Sequence, residues 1–271
     1  MIAEGTPAPH FRLPDHDGEA ALTDPGNQAA SGTPQPHVQR HLVPTAAGYV
    51  HLRTTGEAAP DHPDVLLLHQ IPASSRIWLP VMRELAPLSC VAPDALNLGE
   101  SDATAEPLSL TEHAELLWSA CQQVRPGPKV VVGHHTGAAL AALIAATYPA
   151  DVTGLGLIGF PYYPSWRQRY ARFERLNPVG TDPEGDGVAA AWRFIRRAFA
   201  EDADPDLVFD AFADRIRAGR VWYEGYVALL TSDLHQIAVD ARDGKRPTLV
   251  VAPRRDLLSP AADQVAALLG V

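Results

Sequence analysis

The chain has 271 residues, of which 46% are hydrophobic, and a formal charge of −10 at neutral pH. That length and apolar content suffice for a full core in one main α/β domain with an insertion. The acidic balance argues against nucleic acid or an anionic membrane surface, which require clustered Lys and Arg, and leaves a small neutral or mixed-polarity ligand as the expected partner.

No apolar stretch reaches the roughly 20 residues that span a bilayer, and the N-terminus lacks a basic region followed by an apolar run. A cytoplasmic protein without a membrane partner is the expectation, with oligomeric state open. Cys90 and Cys121 show neither CxxC nor metal-like spacing and read as free buried thiols.

In chain order, residues 37–44 and 49–54 read as a hairpin, followed by a buried strand over 65–69 and a short one over 89–92. Leu110 to Val124 has helical spacing, and Lys129 to Val132, with β-branched Val130 to Val132, reads as a strand. The run then breaks into Gly133-His134-His135-Thr136-Gly137 and an alanine-rich helix to Tyr148. Strands follow over 152–159 and 247–252. Alternating strands and helices predict a mostly parallel sheet with helices on both faces. Residues 161–245 carry helical stripes over 166–176, 188–200, 206–218 and 221–230, and read as a helical cap inserted between strands of one sheet.

Gly-x-His-x-Gly between strand and helix has the form of a nucleophile elbow, in which glycines permit a strained turn that lifts the middle residue above the sheet. With Leu66-Leu67-Leu68-His69-Gln70-Ile71-Pro72, Pro93-Asp94 through Gly99-Glu100-Ser101-Asp102, and Thr248-Leu249-Val250-Val251 leading to Asp256, the chain resembles the α/β-hydrolase family over residues 38–271. The resemblance implies an α/β-hydrolase fold, with core segments 37–160 and 246–271. It also implies an oxyanion hole from the backbone amides of Ile71 and Thr136 and an orienting carboxylate at Asp256.

The departures carry the functional question. His135 stands where the family has its nucleophile, normally Ser, and Gln70 where it has Gly. A histidine there is suited to general acid–base work near neutral pH. A carboxylate on one ring nitrogen fixes the tautomer and leaves the other nitrogen to move the proton. A His135–Asp256 dyad is therefore expected, Asp256 being otherwise a turn or cap residue.

The family's last strand and histidine loop do not follow Asp256. Residues 10–25 resemble them, so a circular permutation is expected, with residues 1–36 supplying that strand, its helix and a linker. The alternative is a tail beside a shortened sheet. His16 lies on this loop and is the candidate catalytic partner of His135, although strict register puts Gly18 at the family's histidine position.

His134 is expected to pack beside the sheet, with substrate contact as the alternative, and to project differently from His135 around the tight turn. His69 would brace the oxyanion loop beside Gln70 at the substrate. Ser74 either caps the next helix or lines the pocket. Tyr162, Trp166, Trp222 and Tyr223 would form an aromatic ceiling over a bulky apolar or aromatic ligand. No HxxxH pattern supports zinc, and neither metal nor cofactor is expected. The expected reaction is hydrolysis of an ester or lactone-like bond with His135 as base. A nonhydrolytic lyase or cyclase, or a noncatalytic ligand-binding protein, remains open.

Overall fold

The computed structural model describes residues 37–59, 62–165, 167–169, 171, 184–219, 222–254 and 256–271. Residues 1–36, which carry His16 and the permutation, lie outside the described residues, as do Trp166 and the side chain of Trp222.

The described strands form one seven-stranded sheet in the order β1-β2-β4-β3-β5-β6-β7. Strands β1 (Gln39–Thr45) and β2 (Gly48–Thr55) make the expected hairpin, and β2 pairs antiparallel with β4 (Cys90–Pro93). From β4 onward, β3 (Asp64–Leu68), β5 (Lys129–His134), β6 (Val152–Ile158) and β7 (Thr248–Val251) run parallel. Leu66, Leu67 and Leu68 of β3 are all buried because this strand is covered on both faces, which is why its sequence is continuously apolar rather than alternating.

A 3-10 turn at Ser75–Trp78 leads into α1 (Leu79–Glu84). Helix α2 (Leu110–Val124) opens on a reciprocal cap, Ser109 with Glu112, and buries Leu110, His113, Ala114 and Leu117 along one stripe. Helix α3 (Thr136–Thr147) leaves the elbow and packs against β5, β6 and α2. Its Ala138, Ala139, Ala141 and Ala142 have no exposed surface, so small side chains let the helix sit close on the sheet.

Four helices lie between β6 and β7 among the described residues: α4 (Asp186–Ala198), α5 (Pro205–Ala218), α6 (Trp222–Thr231) and α7 (Leu234–Asp240). Helices α4 and α5 pack on each other, and α5 reaches the Ser75–Trp78 turn. Helix α7 falls inside the segment read as cap, yet it packs on α3 and α8 (Ala262–Leu269), with Leu234 and Ala238 in the main apolar core. Both cysteines are free and buried. Among the described residues no helix is long and apolar enough to cross a membrane.

Candidate active site

The elbow forms at the end of β5, with His135 at φ 50° and ψ −114°. The flanking glycines are dictated by space. A Cβ on Gly133 would lie 2.0 Å from the carbonyl oxygen of Gly137, and one on Gly137 would lie 2.1 Å from that of Leu68. The His135 amide donates to the Ile158 carbonyl at 2.9 Å, tying the turn to the end of β6. A non-glycine residue in this backbone region is strained, and strain held by such surroundings marks a functional position.

His135 Nε2 lies 2.6 Å from Asp256 Oδ2, with the His135 side chain 28% exposed and that of Asp256 8%. The other carboxylate oxygen, Oδ1, accepts from the Leu258 amide at 2.9 Å. Burial pushes the Asp256 pKa up, but the Leu258 amide and the His135 imidazole outweigh it and hold the carboxyl below its usual range. An ionised Asp256 requires the proton on Nε2, which leaves Nδ1 of His135 as the nitrogen with a free lone pair. The two predicted dyad residues thus meet directly.

The rings of His134 and His135 differ in orientation, with 46° between their planes, yet lie side by side. The ring centroids are 4.3 Å apart, because the tight elbow swings the second ring back beside the first. Burial, then the neighbouring His135, pushes the His134 pKa down to about 4, so it stands neutral at physiological pH. One ligand atom each from His134, His135 and Asp256 fall within 4.8 Å of one another. These three are the residues that can hold a divalent cation, although zinc would draw its ligands closer, to ~3.4 Å apart.

The oxyanion turn follows β3. His69 Nε2 accepts from the Ala95 amide at 2.9 Å, so Nδ1 carries the proton and donates to the Gln70 carbonyl, also at 2.9 Å. With both nitrogens committed to backbone, His69 braces the loop and has no polar atom left for a substrate. The Gln70 carbonyl also accepts from the Ala73 amide, fixing the turn through backbone rather than through the Gln70 side chain. Tyr226 donates to the Ile71 carbonyl at 3.0 Å and fastens the turn to α6. The Ile71 and Thr136 amides have no hydrogen-bond partner among the described residues, and Thr136 opens a helix whose first amides lack intrahelical acceptors.

Ser74 caps the 3-10 turn by accepting from the Arg76 amide, the plainer of its two expected roles. It also donates to Asp214 Oδ2 at 2.6 Å, linking the turn to α5. Tyr162 is hydrogen-bonded to His235 Nδ1 at 3.2 Å.

A cavity of about 20 Å³ adjoins the oxyanion turn, walled by His69, Ile71, Leu98, His113, Thr136 and Leu140 among others. Of the residues expected in the aromatic ceiling, the described Tyr162 and Tyr223 do not line it. His113, Asp214 and Gly159 were not singled out by the sequence. The signal for His113 was its place on the buried stripe of α2, three residues after Leu110 and four before Leu117.

A mostly parallel sheet, an elbow with a strained central residue and an acid after β7 are the features of the α/β-hydrolase fold. The family model for the alpha/beta hydrolase fold matches residues 63–268, and the chain belongs to that family. It is similar to a haloalkane dehalogenase from Bradyrhizobium diazoefficiens, 28% identical over 186 residues, covering 68% of this chain and 58% of that protein. A second, from Mesorhizobium japonicum, is 32% identical over 163 residues, covering 58% and 52%. The chain therefore spans somewhat more than half the length of these relatives. Among solved structures, the enol-lactonase from Burkholderia xenovorans superposes with a TM-score of 0.65 at 17% identity, covering 83% of this chain and 86% of that one. That likeness concerns the fold alone.

Proposed function

We propose that this chain hydrolyses an ester or lactone-like bond of a small organic substrate by activating water with His135, without an acyl-serine intermediate. The observation that carries the reading is the His135–Asp256 contact of 2.6 Å at a strained elbow, next to two backbone amides without a partner among the described residues. Water gives a proton to His135 Nδ1 as its oxygen attacks the carbonyl carbon. The oxygen that becomes negative is held by the Ile71 and Thr136 amides. Collapse of the tetrahedral species breaks the bond to the leaving group, which takes the proton back from Nδ1. Asp256 keeps Nε2 protonated and stabilises the imidazolium between the two transfers.

Nitrophenyl esters and γ-lactones test this. His135→Ala is expected to lose at least about a hundredfold in kcat/KM, the usual scale of a general base. Rapidly quenched enzyme is expected to show no acyl adduct by mass spectrometry. A stable adduct on a hydroxyl side chain, or full activity in His135→Ala, sinks the mechanism. A nonhydrolytic proton abstraction is the second reading, favoured by histidine in place of a hydroxyl residue at position 135. It is distinguished by turnover of C–H acidic substrates without uptake of labelled water oxygen.

A further inference from the structure

Three ligand-bearing side chains converge at the elbow, and the dyad accounts for only two of them. One ligand atom each from His134, His135 and Asp256 lie within 4.8 Å of one another, although the residues come from the end of β5, the turn, and the segment after β7. Among the described residues the ring nitrogens of His134 make no hydrogen bond, and neither belongs to the unpartnered atoms sealed from water. His134 is held by the sheet, in register with Ile158, and the His135 amide donates to the Ile158 carbonyl at 2.9 Å. The Asp256 amide donates to the Pro253 carbonyl, also at 2.9 Å, so all three side chains start from fixed backbone.

Two imidazoles and one carboxylate are a donor set for zinc, cobalt or nickel rather than for magnesium or calcium, which take oxygen ligands. Three protein ligands also leave a coordination position open. The second oxygen of Asp256 is engaged by the Leu258 amide, which orients the carboxylate and leaves Oδ2 as its ligand atom. Gly159 adds no side chain against this pair: a Cβ there would lie 2.5 Å from Asp256 Oδ2 and 3.0 Å from His135 Nε2. At 2.6 Å, Nε2 and Oδ2 share a proton, whereas a tetrahedral cation sets its ligands about 3.4 Å apart, an opening of about 0.8 Å. A small rotation of the exposed edge of the imidazole supplies it.

We propose that His134, His135 and Asp256 bind a divalent transition-metal ion of the zinc type, which takes the place of the dyad proton and switches the base off. The cation bonds to His135 Nε2, Asp256 Oδ2 and one ring nitrogen of His134. The proton that stood on Nε2 passes through water to Nδ1, so the imidazole stays neutral and no proton is lost overall. Nδ1 then has no lone pair with which to activate water. The cation site stands on the geometry alone, and its effect on turnover rests on the hydrolase reading above. His134, idle in the proton transfer, is the residue that turns a dyad into a three-ligand site.

The test has two binding arms and one kinetic arm. Chelator-treated full-length protein is titrated with Co²⁺, whose visible absorption reports its ligands, and His134→Gln is expected to weaken binding at least about tenfold. In the second arm, which needs no variant, ¹⁵N-histidine-labelled wild type is titrated with Zn²⁺. The ring nitrogens of His134 and His135 are expected to shift together at one equivalent, and excess Mg²⁺ to leave them in place. In the kinetic arm, Zn²⁺ is expected to abolish nitrophenyl ester hydrolysis in step with occupancy, and a chelator to restore it. Unmoved His134 and His135 resonances, or Co²⁺ binding indifferent to His134→Gln, overturn the cation site and leave the hydrolase reading intact. Binding that leaves hydrolysis unchanged or raises it overturns the switch and removes His135 as the base, with the cation site standing. Binding by a protein that hydrolyses no ester in the metal-free state upholds the cation site and removes the hydrolase reading.

Discussion

Acid should weaken this protein through His113 in a way that can be isolated. The ring titrates at about 4 in the folded chain, against 6.5 for an ordinary histidine, because burial disfavours its charged form. A depressed folded value means that the unfolded chain binds the proton first. The stabilising increment is therefore complete above about pH 6.5 and is lost as pH falls toward 4. Between about pH 7 and pH 5 the linkage relation gives a loss of about 2 kcal/mol from this one ring, at 1.36 kcal/mol per pKa unit. His113→Leu removes the titrating group and keeps an apolar side chain on the buried stripe. Urea unfolding at several pH values across that window measures the difference directly. The wild type is expected to lose about 2 kcal/mol more than the variant over the interval. Parallel pH profiles for the two proteins would refute the reasoning, because they would mean that His113 is solvated or already paired in the folded chain.

Three further outcomes follow from the geometry. Burial pushes the Asp214 pKa up, only partly offset by the Ser74 hydroxyl, so its stabilising contribution belongs to the protonated form and is lost as pH rises through the folded value. Asp214→Asn, which still accepts from Ser74, should therefore hold or raise the melting temperature at pH 7, whereas Asp214→Ala should cost about 1–3 kcal/mol; a strongly destabilised Asn variant would show that the charge is needed. Gly159 sits at φ 57°, where a Cβ would lie 2.5 Å from Asp256 Oδ2 and 2.7 Å from His135 Cδ2, so Gly159→Ala should part the dyad and lower activity in step with Asp256→Asn. An active Gly159→Ala enzyme would count against direct contact within the dyad. Finally, deleting residues 1–25 should lower the denaturation midpoint if they supply the terminal strand, and an unchanged midpoint on calorimetry would dispose of the permutation.

The sheet was legible because its strands differ in pattern for physical reasons. Doubly covered β3 is continuously apolar, and β5 runs into a glycine-flanked turn that only one kind of backbone satisfies. The short helices α1 and α7 were not legible from periodicity, having 6 and 7 residues. Helix α7 did carry a start signal, the Asp233 side chain accepting from the Gln236 amide, but its stability comes from packing on α3, which no local pattern displays. The contact between residues 135 and 256 was expected from the family resemblance, which puts an orienting carboxylate at Asp256, and from the histidine at the elbow. The choice of Nε2 for the contact was not, because it depends on the angle at which the elbow presents the ring. The nearness of His134 to His135 escaped for the same reason, as adjacent residues diverge on a strand and converge on a tight turn. His113 was hidden in plain hydrophobic spacing, where a single polar member does not disturb the stripe.

The direct contact between elbow and acid also changes what the rest of the chain has to do. In an arrangement of nucleophile, histidine and acid, three separate segments must arrive in register, and the loop bearing the histidine is indispensable. On the proposed mechanism the group that meets the substrate also takes the proton, and both dyad members follow parallel strands, β5 and β7, joined through β6. On that mechanism a separate loop bearing a histidine carries no chemical duty. A scaffold with that freedom can be cut, shortened or rejoined beyond Asp256 without dismantling its proton-transfer unit, so the ends of such a chain become positions where evolution or a designer can rearrange sequence at the cost of stability alone.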